Sequence, residues 1–264
     1  MRAAEQQAAE ASMWGLEGRH VIITGAGGGI GRALVAAFRG AGARISACDR
    51  DPVLLDTLEG VEKLAFELTD GDATAHAVNL AVERQGPPAA LIGNAGFTRA
   101  ETMAQVTPDA WRSEIDINLH GTYNVVAPIL RHMKAAGGAI VLVSSVNAVA
   151  HFGNPAYSAA KAGMLAYARA IAVEHGAHNI RANCICPGSV RTPAWDHRLA
   201  ENPKLLDQVL PHYPLGRLVT PEEVANVALF LASPLSSGVT GTAIAVDAGL
   251  TAGNLRFVRE VLGG

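Results

Sequence analysis

The chain has little of what disulfide-rich, nucleic-acid-binding or membrane-spanning proteins need. It has only three cysteines in 264 residues, and each lies in an apolar, strand-like stretch, which favours small core residues in a reducing compartment over disulfides. The formal net charge is −3 and no run is rich in Lys and Arg, which argues against a general nucleic-acid-binding surface. No apolar run is long enough to span a bilayer. These shortages predict a cytoplasmic protein with no membrane or nucleic-acid partner.

Aromatic residues, metal-binding patterns and linkers are scarce as well. Only 5% of the residues are aromatic, so Ala, Val, Leu and Ile must supply most of the core. The nine histidines show no metal-ligand spacing, so we expect no metal site. Residues 1–13 are polar, with no hydrophobic centre, and are interpreted as a flexible extension rather than a signal peptide. With no linker or repeat in view, residues 14–264 are predicted to form one domain.

A glycine-rich turn joins the first predicted strand to the first predicted helix. The strand is the apolar run His20–Ile23, the turn follows over Thr24–Gly31, and Arg32–Arg39 has helical spacing. Glycines let the backbone approach a pyrophosphate, and a helix N-terminus offers unpaired N–H groups and a positive dipole end. An ordinary flexible turn can have a similar glycine-rich sequence. The predicted strand before this turn and the predicted helix after it favour a dinucleotide-binding site. Its candidate residues are Gly25, Gly29, Ile30 and Gly31.

An acidic residue ends the second predicted strand. Asp49 lies about 20 residues beyond the glycines, where a carboxylate can accept hydrogen bonds from ribose hydroxyls and would repel a 2′-phosphate. Asp49 therefore favours NAD over NADP, although the neighbouring Arg50 could pair with such a phosphate. A plain loop acid before Asp51 and Pro52 is the alternative reading.

Strands and helices alternate along the chain. The alternation predicts a Rossmann-type α/β fold, with a doubly wound parallel sheet of seven strands and ligands at the carboxyl ends of those strands. The predicted strands lie at 20–23, 43–48, 61–68, 89–92, 139–143, 180–186 and 243–246. Thr107-Pro108 and Thr220-Pro221 have the residue order of helix starts, and the helix after Thr107 is predicted to run toward Lys134.

One helix carries a pair of side chains suited to proton transfer. Tyr157 and Lys161 are four residues apart and share one helical face. An ammonium beside a phenol favours the phenolate, so we expect Lys161 to lower the pKa of Tyr157 below its usual value near ~10. A phenol tuned in this way exchanges protons at neutral pH.

Together these motifs resemble those of the short-chain dehydrogenase/reductase family, in its compact single-domain form, over nearly the whole chain. The matched positions are Thr24, Gly25, Gly29 and Gly31 in the cofactor turn, Asn94, Ala95 and Gly96 after the fourth strand, Asn118, Ser145, Tyr157 and Lys161 in the catalytic set, and Pro187, Gly188, Val190 and Thr192 after the sixth strand. Glu67 and Leu68 stand where the family often has Asp-Val beside the adenine, and Ala248 replaces a frequent glycine.

The resemblance implies a role for each catalytic position. Tyr157 would be the general acid and base, Lys161 would lower its pKa and bind the nicotinamide ribose, and Ser145 would orient the substrate oxygen. Asn118 would hold a water that links Lys161 to solvent. Ser145 precedes Tyr157 by 12 residues and Ser144 by 13. Family spacing favours Ser144, whereas the second serine of such a pair usually fills the role, so Ser145 is preferred with Ser144 in reserve.

The reaction implied is hydride transfer between a secondary alcohol and a ketone, with NAD preferred and NADP less favoured. Asn147, His151 and Trp195 are candidate substrate contacts, since they lie in the loop before Tyr157 and in the variable stretch 189–217. No basic cluster is visible, so a neutral sugar, polyol, cyclic alcohol or hydroxy-ketone is expected. Family analogy suggests a homotetramer or dimer. The alternatives are a nucleotide-sugar epimerase or dehydratase on the same scaffold, and a non-catalytic protein that senses the cofactor.

Overall fold

The computed structural model describes residues 13–99 and 102–263, so most of the predicted N-terminal extension lies outside the described residues. Seven parallel strands form one sheet in a single Rossmann-like domain. The strands are β1 (His20–Thr24), β2 (Arg44–Asp49), β3 (Glu62–Ala65), β4 (Ala90–Gly93), β5 (Gly138–Val143), β6 (Ile180–Pro187) and β7 (Ala243–Val246). The helices are α1 (Gly29–Gly40), α2 (Pro52–Asp56), α3 (Gly71–Gln85), α4 (Pro108–Ile115), α5 (Gly121–Met133), α6 (Pro155–His175), α7 (Pro193–Glu201), α8 (Leu205–Val209), α9 (Pro221–Ala232) and α10 (Leu255–Val261).

The strand order is β3-β2-β1-β4-β5-β6-β7, so the winding direction reverses between β1 and β4. Successive residues of a strand point to opposite faces, and both faces of this sheet are covered. Val21 and Ile23 of β1 therefore pack into the layer with α1 and α9, whereas Ile22 packs into the layer with α3, α5 and α6. Ligands of doubly wound folds bind where the strand order reverses, which directs attention to the carboxyl ends of β1 and β4.

The helix starts predicted from the sequence are confirmed. The Thr107 hydroxyl accepts a hydrogen bond from the backbone N–H of Ala110 at the start of α4. Thr220 and Glu223 form a reciprocal capping box at the start of α9. Both helices have Pro at their first position, where its missing N–H costs nothing.

One predicted strand differs from the sequence expectation. β3 is shorter than predicted and ends at Ala65, because the chain turns where the N–H of Asp70 donates to the carbonyl of Glu67. The stretch 189–217 contains α7 and α8, and its aromatic residues Trp195 and Tyr213 pack with Leu218 in a small separate cluster. Within the described part of the chain, no helix combines the length and the apolarity that crossing a bilayer requires.

Candidate active site

Two adjoining cavities lie at the carboxyl ends of the strands. The first, of about 350 Å³, contains the predicted cofactor residues Gly25, Gly29, Ile30, Gly31, Asp49, Arg50, Glu67, Leu68, Asn94, Ala95, Gly96 and Thr192. The second, of about 470 Å³, contains Ser144, Ser145, Tyr157, Lys161, Pro187, Gly188, Val190, Thr192 and Trp195. Ile30, Asn94, Gly96 and Thr192 line both cavities, so the two form one continuous cleft.

The glycine turn needs glycine for two separate reasons. Gly25 has φ +62°, in the left-handed region that favours glycine, and a Cβ there would lie 2.8 Å from the Cα of Ala95. A Cβ on Gly31 would lie 2.0 Å from the carbonyl oxygen of Gly25, because α1 packs directly against the turn. The N-terminus of α1 is thereby held beside the first cavity, where its orphan N–H groups are suited to an anion.

Asn94 ties the end of β4 to the end of β1. Its side-chain amide donates to the carbonyl oxygens of Thr24 and Gly25, each over 3.1 Å. The hydroxyl of Thr24 in turn accepts hydrogen bonds from the backbone N–H groups of Asn94 and Ala95. These bonds fix the point at which the strand order reverses, directly beneath the cleft.

The two serines that end β5 have different surroundings. The Ser144 hydroxyl donates to the backbone carbonyl of Lys161 over 3.0 Å and is buried between β5 and α6. The Ser145 hydroxyl accepts a hydrogen bond from the backbone N–H of Asn147 over 3.1 Å. It also forms a hydrogen bond with the Tyr157 phenol. Ser144 therefore fastens the helix to the sheet, whereas Ser145 is the serine that interacts with the phenol.

The pKa expected for Tyr157 is corrected by the structure. Burial raises the pKa of Tyr157 to about 12, and the hydrogen bond with Ser145 only partly offsets this increase. Lys161 is 2% exposed and its ammonium lies 5.4 Å from the centre of the Tyr157 ring, where it donates to the carbonyl of Val143 over 2.9 Å. Burial lowers the pKa of Lys161 to about 8. In this arrangement, desolvation outweighs any favourable effect of the ammonium on the phenolate.

Asn118 lies in a π-helical turn, Asp116–His120, between α4 and α5. The helical run predicted toward Lys134 is present, but this wider turn interrupts it, and such turns are frequent at functional sites. The Asn118 side chain is fully buried, donates to the carbonyls of Phe97 and Glu114, and accepts from the N–H of Phe97. A Cβ built on Gly96 would lie 2.7 Å from Asn118 Oδ1 and 3.2 Å from Lys161 Nζ, so both side chains border Gly96.

Two of the predicted substrate contacts lie away from the cleft. His151 is exposed and lines neither cavity. Asn147 holds the loop instead, since its amide donates to the carbonyl of Gly153 over 2.9 Å and to the Ser158 hydroxyl over 3.1 Å. Trp195 does line the second cavity and is 8% exposed.

Sequence reasoning missed several residues of the cleft. Phe97 lines both cavities, Ile117 lines the first, and Arg198 lines the second. Phe97 directly follows the Asn94–Gly96 motif, and Arg198 lies three residues after Trp195 on α7, so neighbouring positions gave a signal for both. Among the described residues, no group of three or more His, Cys, Asp or Glu is placed to hold a metal ion.

Known proteins match this chain over most of its length. A family model described as enoyl-(acyl carrier protein) reductase matches residues 25–251. The chain is 39% identical to a 3-oxoacyl-[acyl-carrier-protein] reductase of Thermotoga maritima, over 89% of this chain and 98% of the relative.

Solved structures match its fold as well. An oxidoreductase of the short-chain dehydrogenase/reductase family from Burkholderia thailandensis is 43% identical, with a TM-score of 0.87 over 93% of this chain and 98% of that one. An aldohexose dehydrogenase of Thermoplasma acidophilum is 27% identical, with a TM-score of 0.83 over 91% of this chain and 96% of that one. Sequence, fold and the motifs of the cleft agree, and the chain therefore belongs to the short-chain dehydrogenase/reductase family of oxidoreductases.

Proposed function

We propose that this oxidoreductase interconverts a secondary alcohol and a ketone with a nicotinamide dinucleotide, and that it prefers NAD(H). The main support for this proposal is that Tyr157, Ser145 and Lys161 line the second cavity, which is continuous with the glycine-lined first cavity. The names of the relatives, a ketoacyl reductase and a sugar dehydrogenase, agree with this reaction class.

The residues of the first cavity fit a dinucleotide. The glycine turn lets a pyrophosphate approach the N-terminus of α1, and Asp49 stands beside it to accept hydrogen bonds from the ribose. Glu67 and Leu68 would border the adenine, and Val190 and Thr192 would border the nicotinamide carboxamide. When bound, the nicotinamide ring supplies the site that accepts or donates the hydride.

The proton follows a path through residues of this chain. In oxidation, Tyr157 Oη accepts the hydroxyl proton of the alcohol, and in reduction it returns a proton to the carbonyl oxygen. Ser145 donates to the same oxygen and stabilises the charge that develops there. Because burial raises the pKa of Tyr157 to about 12, the phenol is protonated at neutral pH and is ready to act as the acid in reduction.

Oxidation requires added positive charge near the phenol. The Lys161 ammonium lies 5.4 Å from the centre of the Tyr157 ring, and its pKa of about 8 leaves it mainly charged at pH 7. Asn118 holds the adjoining loop at Phe97 and borders Gly96 together with Lys161, so we assign it a positioning role in the proton relay. Each of these roles extends the family resemblance to the geometry of this cleft.

The preference for NAD(H) rests on Asp49, whose carboxylate lies at the edge of the first cavity. A 2′-phosphate there would meet a fixed negative charge, while Arg50 lines the same cavity and is the residue that would favour NADP(H). For the substrate we propose the skeleton of a sugar, polyol, cyclic alcohol or hydroxy-ketone, since the second cavity is open and lined by both polar and apolar residues.

The test is the absorbance of reduced nicotinamide, followed with a panel of secondary alcohols, polyols and 3-oxoacyl thioesters. Each substrate is run with both NAD and NADP, and Tyr157→Phe serves as the control. We expect turnover in the wild type with NAD, and a loss of about 10²-fold to 10⁴-fold in Tyr157→Phe while cofactor still binds. Near-normal turnover of Tyr157→Phe would remove Tyr157 from the reaction. Cofactor binding without any turnover would favour a cofactor-sensing protein.

We also propose that the chain assembles as a homotetramer or dimer. Large side chains lie exposed on the helices that surround the site, with Trp111 at 42%, Tyr123 at 58% and Val173 at 82%. Covering such side chains is the usual role of a subunit interface. A monomeric mass in solution would contradict this.

A further inference from the structure

The charged side chains that line the second cavity, where the substrate is proposed to bind, all have the same sign. Among the described residues that line it, the charged ones are Lys161 at its base and Arg198 on α7, and both are cations. Lys161 is buried and donates to the carbonyl of Val143, so its ammonium belongs to the base of the site. Arg198 is exposed and lies toward solvent, where a substrate would present its distal end.

Arg198 is held in place but has no carboxylate partner among the described residues. Its guanidinium carbon lies 4.6 Å from the centre of the Trp195 ring, and Trp195 itself is buried in the cavity wall. The two acids of α7 are engaged elsewhere, since Asp196 pairs with Arg191 over 2.8 Å and Glu201 with His197 over 3.6 Å. Stacking occupies the face of a guanidinium and leaves its in-plane N–H groups free to donate.

A second arginine lies beside the same cavity. The guanidinium carbon of Arg99 lies 6.0 Å from the centre of the Phe97 ring, and Phe97 lines the cavity together with Thr98. Arg99 and Arg198 are far apart in the sequence, and only the fold brings their aromatic partners to one cavity. Positive charge in a cleft attracts and orients an anionic ligand.

We propose that the substrate carries an anionic group, a carboxylate or a phosphate, which Arg198 binds while the carbinol lies at Tyr157. This inference rests on the proposed function and narrows its substrate to acidic derivatives of the skeletons named there, such as sugar acids. Arg198 is a specificity residue in this assignment, and Arg99 adds positive charge at the side of Phe97. The sequence shows no basic cluster and therefore predicted a neutral substrate. The fold brings Arg99 and Arg198 to one cavity, and this proposal of an anionic substrate takes the place of that prediction.

The experiment compares three substrates that share a carbon chain: sorbitol, gluconate and sorbitol 6-phosphate. The wild type, Arg198→Met, Arg198→Lys and the matched control Arg112→Met are assayed with NAD for kcat and KM. Met keeps the length and apolar contacts of the stem, and Arg112 on α4 is an exposed arginine that pairs with Asp109 and does not line the second cavity.

We expect the wild type to favour an anionic substrate over sorbitol. Arg198→Met should lower the ratio of kcat/KM for the anionic substrate over kcat/KM for sorbitol by about tenfold to a hundredfold, mainly through KM, because charge-assisted hydrogen bonds are lost. Arg198→Lys should recover part of the ratio, and Arg112→Met should keep it. Whether gluconate or the phosphate ester is preferred decides which anion the site takes. A ratio unchanged in Arg198→Met, or a wild-type preference for sorbitol, would overturn the proposal.

A binding experiment distinguishes failure of this inference from failure of the proposed function. If none of the three compounds is turned over, calorimetric titration of gluconate and of sorbitol 6-phosphate into the enzyme–NADH complex still tests the anion site. Binding that Arg198→Met abolishes would support the site while the reaction class is reconsidered. Equal binding to the wild type and Arg198→Met, or no binding to either, would overturn it.

Discussion

The backbone N–H of Gly27 donates a hydrogen bond of 3.0 Å to the Asp49 carboxylate. The glycine turn and the end of β2 are therefore one unit, in which the residue proposed to select the cofactor also holds the turn proposed to cradle its pyrophosphate. The other carboxylate oxygen of Asp49 accepts from the N–H of Asp51 over 3.2 Å, so the side chain is fixed from both ends.

Asp49→Asn is expected to weaken the preference for NAD without loosening the turn. The amide oxygen of Asn can still accept from the N–H of Gly27, but the negative charge that would repel a 2′-phosphate is gone. We expect kcat/KM with NADP, relative to NAD, to rise at least about tenfold, which corresponds to ~1.4 kcal/mol. Arg50→Gln is the matched test and should shift the ratio in the opposite direction. An unchanged ratio in Asp49→Asn would show that the carboxylate charge does not select the cofactor.

The two serines at the end of β5 should respond differently to alanine. Ser145→Ala removes the hydroxyl that interacts with Tyr157 and should lower kcat by about 10²-fold to 10³-fold, the scale of losing one such donor. Ser144→Ala removes a buried hydrogen bond to the Lys161 carbonyl and should lower the free energy of unfolding by about 1–3 kcal/mol. Steady-state kinetics and urea unfolding of both variants check this. A larger loss of kcat in Ser144→Ala would reverse the assignment.

Gly31 and Gly40, near opposite ends of α1, should respond differently to substitution by alanine. A Cβ on Gly31 would lie 2.0 Å from the carbonyl oxygen of Gly25, so Gly31→Ala must displace the turn. We expect it to lose about 1–3 kcal/mol of stability or more and to weaken cofactor binding. A Cβ on Gly40 meets no described atom within 4 Å, so Gly40→Ala should gain up to about 1 kcal/mol and bind cofactor as before. Urea unfolding and fluorescence titration with NADH measure both, and equal effects would contradict the close contact at Gly31.

Stability should fall in mild acid because of His20, a buried residue at the opposite end of the sheet. Its ring contacts the Gly86 carbonyl over 2.7 Å and the Ser46 hydroxyl over 2.9 Å, and burial lowers its pKa. A histidine with a lowered pKa binds its proton more readily when the chain is unfolded. The contribution of His20 to the free energy of unfolding is therefore fully present above ~6.5, the pKa of histidine in the unfolded chain. As the pH falls below that value, this contribution is lost at up to ~1.4 kcal/mol per pH unit.

Urea unfolding at pH 7.5 and at pH 5.5 measures this contribution. His20→Gln should be less stable than the wild type at the higher pH and should lose less on acidification. His151→Gln, at an exposed position, serves as the matched control because it leaves the His20 ring in place. If His20→Gln loses as much stability on acidification as the wild type, the buried ring is not the group responsible.

Much of the fold could be predicted from the sequence, because it depends on short-range regularities. Strand and helix periods place side chains on faces within a few residues, so the seven strands, the glycine turn and the shared face of Tyr157 and Lys161 were readable from spacing. Cap residues set the starts of α4 and α9 in the same way. The end of β3 was misplaced because it depends on a turn at Glu67 rather than on periodicity.

The sequence by itself determined the parallel sheet and the order in which the motifs reach its carboxyl edge, since both follow from local patterns and chain direction. Only the tertiary structure decided which serine interacts with Tyr157, that His151 lies outside the cleft, and that burial raises the pKa of the phenol to about 12. It also placed Arg198 on Trp195 in the wall of the second cavity. Burial and contact between residues distant in the chain depend on how whole elements pack, and no local spacing carries that information.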